Sequence, residues 1–148
     1  MIRPWVEDDL DSLIAMGQRL HNEAEAYSHF EFSPYRVMQT FFGIMQSEDQ
    51  VGLCYDKDGI KGAMAGAIYP QFFSKGKTAS ELFVFVEQTA RGGLIGKRLL
   101  AGFEHWAMAM GAKEIRVGVS SGILPGRTVG LYKKLGYNPT ATQLRKTL

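Results

Sequence analysis

The stretch from Glu81 to Leu100 constrains this chain more than any other. An apolar run, Leu82-Phe83-Val84-Phe85-Val86, gives way to Arg91-Gly92-Gly93, and an amphipathic helix starts at once with Leu94-Ile95-Gly96-Lys97. A strand, a glycine-bearing loop and a helix in immediate succession put the helix N-terminus at the carboxyl end of the strand. The glycines let the backbone approach a ligand closely and expose consecutive N–H groups. The first helical turn adds unpaired donors and a partial positive charge. Together they predict a phosphate or pyrophosphate site over Gly92, Gly93, Leu94, Ile95 and Gly96, with Arg91 and Lys97 adding charge. The alternative is a tight strand-to-helix connection that holds no ligand. There is no Gly-Lys-Ser/Thr, which excludes a P-loop, and the glycine spacing does not fit a dinucleotide fingerprint.

Periodicity extends the reading in both directions. Ile95, Leu99, Phe103, Trp106, Ala107 and Met110 recur at spacings of three and four, so Leu94 to Met110 is an amphipathic helix, ended by Gly111. Ile115 to Val119 is the next strand, which closes a right-handed parallel β-α-β unit. Upstream, Val51–Tyr55 and Ile60–Tyr69 flank Asp56-Lys57-Asp58-Gly59, a strong hairpin signal, and Ser80–Glu87 is a third strand. Ile2–Val6 reads as a short first strand, and Glu7-Asp8-Asp9 loads acid onto a helix start before the stripe Leu10, Leu13, Ile14 and Leu20. Asn22 to Ser33 reads as a loop or broken helix. Ser33-Pro34 begins a second helix running towards Ser47. Thr128–Leu135 reads as a short helix closed by Gly136, and Thr140–Leu148 as a final edge strand. The fold class is therefore mixed α/β: a central, mostly antiparallel sheet with one parallel β-α-β unit and helices on both faces.

A length of 148 residues fits one domain spanning 1–148. With 45% hydrophobic and 22% charged residues, the chain is not a disordered one. The net charge is only +2, and the basic residues are spread out, with Lys97-Arg98 and Lys133-Lys134 as the densest pairs. No nucleic-acid partner is expected from that pattern. Cys54 is the one cysteine, so there is no internal disulfide; its apolar setting predicts a buried structural thiol. His21, His29 and His105 show no ligand spacing with Cys54, and no metal is expected. The start, Met1-Ile2-Arg3-Pro4-Trp5, lacks the apolar run of a signal peptide, and no stretch approaches the roughly 20 apolar residues of a membrane span. A cytoplasmic protein with no membrane partner is the default expectation.

Two segments carry a family resemblance. Arg91 to Gly96, with Val86 before it, resembles the Arg/Gln-x-x-Gly-x-Gly/Ala loop that follows a valine-ended strand in the GCN5-related N-acetyltransferase (GNAT) superfamily. Leu94 stands where that motif has its first glycine, and Gly93 is displaced by one. Near the C-terminus, Arg127-Thr128-Val129-Gly130-Leu131-Tyr132-Lys133-Lys134-Leu135-Gly136-Tyr137 is similar to the family's short helix ending in Tyr-x-x-x-Gly-Phe/Tyr. The resemblance covers Ile60 to Tyr137; the N-terminal half matches in element order. In its compactness and its Arg-Gly-Gly loop the chain also resembles small phage and prophage acetyltransferase-type proteins.

The resemblance implies an acyl-CoA N-acyltransferase fold, acetyl-CoA as cosubstrate, and a small-molecule or protein amine as acceptor. A homodimer is compatible with it. It implies that the strand ending at Val86 and the strand Ile115–Val119 splay apart. Backbone groups of Val84, Phe85 and Val86 would then pair with the pantetheine amides and help polarise the thioester carbonyl. Tyr132 becomes the general acid that reprotonates the leaving thiolate. The residues themselves supply a candidate base. Glu81 lies on the same strand, and alternation places it on one face with Phe83 and Phe85, where apolar surroundings raise its pKa. Glu23, His21 and His29 are further candidates, in the N-terminal segment where the family builds its acceptor pocket. Two other readings remain open at this point: a catalytically idle (acyl-)CoA-binding or interaction module on the same fold, and a small nucleotide-binding protein.

Overall fold

The computed structural model describes residues 1–119 and 125–148. Five strands form one sheet in sequence order: β1 (Ile2–Pro4), β2 (Gln50–Asp56), β3 (Ile60–Pro70), β4 (Lys77–Val86) and β5 (Ala112–Arg116). All neighbours are antiparallel except β4 and β5, which run parallel around the crossover helix α3 (Ile95–Ala109). The hairpin between β2 and β3 turns at Asp58 and Gly59, both with positive φ, as the Asp-Gly signal predicted.

Helices α1 (Leu10–Glu23) and α2 (Pro34–Gln46) cover one face of the sheet, while α3 and α4 (Pro125–Lys134) pack on the other. Strand alternation divides the core accordingly. Cys54, Ala63 and Ala65 turn towards Trp5, Leu13 and Phe41; Leu53, Met64 and Ile68 turn towards Leu99 and Phe103. The helices sit close because the strands carry glycine beneath the largest rings. A Cβ on Gly66 would lie 2.2 Å from the Phe103 ring, and one on Gly52 2.2 Å from Trp5. The second helix begins as the sequence predicted: the Ser33 hydroxyl accepts from the Arg36 N–H at 3.2 Å, and Pro34 occupies the first turn. Cys54 is fully buried, and burial pushes its thiol up to about 11.

Three expectations are corrected. The first strand stops at Pro4, where proline removes a ladder donor, and Val6 already precedes the helical turn Glu7–Asp9. The last parallel strand is Ala112–Arg116, directly after Gly111, and not Ile115–Val119. The tail from Thr140 to Leu148 forms no strand. Only Leu144 and Leu148 would share an apolar face, with Lys146 between them, so pairing would bury little apolar surface. Arg145 instead donates to the Ala26 carbonyl at 2.6 Å.

Candidate active site

β4 and β5 pair only from Lys77 opposite Ala112 to Ser80 opposite Arg116. β5 then ends, while β4 continues to Val86 with β3 on its other side. From Glu81 onward, the edge of β4 turned away from β3 has no strand beside it among the described residues. A cleft of about 620 Å³ fills the opening, walled by β4, by Gly118 and Val119 beyond β5, by the Arg91–Lys97 loop and by α4. The backbone of β4 presents itself there selectively. The Val86 carbonyl faces the opening, where it accepts from Arg91 Nε at 2.9 Å. The Phe85 carbonyl faces β3, 3.2 Å from where a Cβ on Gly62 would lie. Alternation then turns the polar groups of Val84 to the opening and those of Phe85 away from it.

At the other end of the cleft, Gly92 has φ +85° and reverses the chain into α3. Leu94 is the N-cap residue, with φ −95° and ψ 0°, and no side chain caps the helix. The intrahelical ladder begins with the Arg98 N–H bonded to the Leu94 carbonyl at 2.9 Å, so the N–H groups of the preceding turn point outward over the cleft. Among the described residues, a Cβ on Gly96 would meet nothing within 4 Å, and one on Gly93 only the Ala90 carbonyl at 3.9 Å. Open space therefore lies over the helix start. Lys97, Arg127 and Lys134 also line the cleft. Arg127 Nη2 comes within 3.5 Å of where a Cβ on Gly92 would lie. No acidic side chain occupies the first turn of α3. This is a cationic, donor-rich surface of the kind that takes phosphate.

Glu81 and Tyr132 line the same cleft. Phe83 pairs with Ala65 and Glu81 with Gly66, so Leu82 is an extra residue in β4 with no partner of its own. This bulge corrects the expected alternation. Phe83 and Phe85 pack towards Phe41 on the α1–α2 face, whereas Glu81 stands opposite Gly66, the position beneath Phe103 on the α3 face. Glu81 Oε1 accepts the Gly118 N–H at 3.0 Å, while Oε2 is shut off from water with no hydrogen-bond partner among the described residues. Burial pushes its carboxyl up to about 7, opposed by the Gly118 N–H. Tyr132 is 7% exposed, and burial first, then the nearby Glu81 charge, raises its phenol above the ordinary value.

The protein-family model described as Acetyltransferase (GNAT) family matches residues 17–137. The chain belongs to the GNAT family. No curated protein sequence matches it significantly. Among solved structures, a transcriptional regulator from Bacillus halodurans C-125 superposes with a TM-score of 0.83 at 18% identity, covering 100% of this chain and 99% of that one. An acetyltransferase from Trypanosoma brucei gives 0.77 at 20% identity, covering 100% and 99%. The aminoglycoside acetyltransferase AAC(6')-Iy, solved with a bisubstrate analogue of coenzyme A, gives 0.80 at 15% identity, covering 100% and 97%. At such identities the structural likeness speaks for the fold.

Of the candidate site residues, Glu81, read from its place on the strand, and Val84, Phe85, Val86, Arg91, Gly92, Gly93, Ile95, Gly96, Lys97 and Tyr132, implied by the GNAT resemblance, all border the one cleft, whereas Leu94 does not. Leu94 is 57% exposed, and its backbone is in a conformation open to any residue, so the absence of the motif glycine does not distort the turn. The Arg91 guanidinium is engaged: it grips both oxygens of Glu23, donates to the Val86 carbonyl and lies 5.2 Å from the centre of the Phe85 ring. That pairing holds the Glu23 carboxyl below the usual carboxylate range, so Glu23 is a fixed anion. His21 Nε2 lies 2.6 Å from the Phe30 carbonyl, and His29 is exposed against Phe30. Sequence reasoning missed Gly118 and Arg127. Pro125, a first-turn proline, signals a helix start three residues before Thr128, which brings Arg127 into the first turn of α4.

Proposed function

We propose that this GNAT-family protein is an N-acetyltransferase that moves acetyl from acetyl-CoA to a primary amine by direct attack. The observation that carries the reading is the half-buried Glu81, whose carboxyl is pushed up to about 7 and whose Oε2 has no partner among the described residues, in the cleft that also holds Tyr132 and the open start of α3. The pyrophosphate would lie on the N–H groups of the α3 first turn, beside Lys97 and Arg127. The pantetheine would run along the open edge of β4 and pair with Val84. Glu81, as carboxylate, accepts a proton from the acceptor ammonium. The freed amine nitrogen attacks the thioester carbonyl carbon, the C–S bond breaks, the Tyr132 hydroxyl gives its proton to the departing sulfur, and the proton that the nitrogen sheds on becoming an amide restores that hydroxyl. Tyr132 suits that role because its raised pKa keeps it protonated throughout the working range.

The reading is tested by free-thiol release from acetyl-CoA with a panel of amines. A base with a pKa near 7 gives a rate that rises with pH through about 7. Glu81→Gln keeps the shape but cannot accept the proton, so kcat is expected to fall by ~10²-fold or more, with the rising limb lost. A variant with wild-type rate and an unchanged limb would remove Glu81 from the mechanism.

A further inference from the structure

A second cavity, of about 250 Å³, lies on the opposite face of β4, between α1, α2 and the sheet. It shares Leu20, Tyr27, Phe83 and Phe85 with the wall of the larger cleft, so the two spaces adjoin at the bulged part of β4. The bulge at Leu82 separates the two chemistries: Glu81 serves the cleft on one face, and two residues later Phe83 turns into the second cavity on the other. The interior is formed chiefly by Leu13, Met16, Phe32, Val37, Phe41 and Phe83, and among the described residues no aspartate, glutamate, lysine or arginine borders it. Gly17 of α1 borders it too, with the Phe32 ring 3.6 Å and the Val37 side chain 3.7 Å from where its Cβ would be.

We infer that this cavity seats the apolar group of the acceptor, and that the acceptor is a monoamine carrying an aryl or branched aliphatic group, with its nitrogen reaching past Phe83 into the coenzyme cleft. The inference rests on the acetyltransferase reading and names its substrate class. Three observations point to this class. An acceptor with several ammonium groups would have to leave them without counter-charges, because the cavity has no carboxylate, and burying an unpaired cation is costly. The size is right, since a dry cavity of roughly 150 Å³ is already enough for benzene. The place is right as well, because a group seated here has the larger cleft, with Glu81 on its wall, as its immediate neighbour.

Gly17 offers a direct test. Leucine there would project into the cavity, and it is a better helix former than glycine, so the variant is expected to fold. Gly17 does not border the coenzyme cleft. Two measurements are made on wild type and Gly17→Leu: calorimetric binding of acetyl-CoA alone, and NMR titration of phenethylamine and of spermidine without coenzyme. Thiol release with the same amines follows. The expected result is a kcat/KM for phenethylamine at least ~10-fold above that for spermidine, the scale of discrimination an apolar pocket supplies. In Gly17→Leu that preference is lost through KM, while acetyl-CoA binding is kept. Phe32→Ala is expected to shift the preference towards bulkier aryl amines. Two results would overturn the assignment: spermidine preferred over phenethylamine, or phenethylamine binding indifferent to Gly17→Leu. Failure of acetyl-CoA to bind wild type would sink the transferase reading by itself, and the coenzyme-free titration would still decide the pocket.

Discussion

Glu81 and Tyr132 share a cleft but are driven by it in opposite senses. Burial raises the pKa of each. For a carboxyl that brings the titration to neutrality, where it can both hold and release a proton; for a phenol it removes the anion from the working range altogether. One is thereby suited to accept a proton and the other to give one, the separation of roles that acid–base catalysis requires. Tyr132 also packs at 5.8 Å from the Tyr137 ring, so its aromatic body has a structural duty apart from its hydroxyl. Tyr132→Phe separates the two. Coenzyme affinity and thermal stability should stay close to wild type, and kcat should fall by ~10²-fold. Calorimetry beside thiol release reads both. Full turnover in the variant would leave Tyr132 as a packing residue and return the acid role to solvent.

At the scale of elements, coenzyme binding is a property of where α3 begins. The GNAT motif has glycine at position 94, yet Leu94 caps the helix in an ordinary helical conformation with its side chain 57% exposed and outside the cleft. Gly96 is the position with open space above the first turn. Leu94→Gly is therefore expected to change the Kd for acetyl-CoA by less than about threefold, or ~0.7 kcal/mol, whereas Gly96→Glu, which puts an anion where pyrophosphate would lie, should weaken it by tenfold or more. Titration of the two variants side by side makes the comparison, and a reversed order would refute the placement. The same elements show what a sequence can carry. The hairpin at Asp58-Gly59, the helix stripe from Ile95 to Ala107 and the burial of Cys54 were legible because turn chemistry and periodicity are local. The bulge at Leu82 was not, since one extra residue in an apolar strand leaves the composition unchanged while it moves Glu81 to the other face. Nor was the pairing of Arg91 with Glu23, 68 residues apart in sequence, which leaves Lys97, Arg127 and Lys134 to carry the positive charge at the cleft.

For the molecule as a whole, these carboxyls set how stability depends on pH. Asp9, clamped by Arg3, and Glu23, gripped by Arg91, are held below their ordinary values. Each stabilises the fold above the unfolded carboxyl range, and that contribution is lost as pH falls through the lowered pKa. Glu81 acts in the opposite sense. Its carboxyl moves from 4.5 to about 7 on folding, so between those values the native state binds more protons than the unfolded one. Stability then declines as pH rises across that window. Glu81→Gln resembles the protonated form at every pH and keeps an oxygen for the Gly118 N–H. The variant should match wild type below about pH 4, where both states of wild type carry the proton, and exceed it by on the order of 2 kcal/mol at pH 8, once residual exposure of the side chain is allowed for. Urea unfolding of both proteins from pH 4 to pH 8 isolates the effect, because Asp9, Glu23 and every other titrating group cancel in the difference. A gap that opens between pH 4.5 and 7 and is flat above it would mark Glu81 as a residue kept at a cost to the fold, as a buried base must be. A pH-independent gap, or a variant less stable than wild type at pH 8, would mean that the carboxylate is satisfied in the native state and that its neutral-range pKa is wrong.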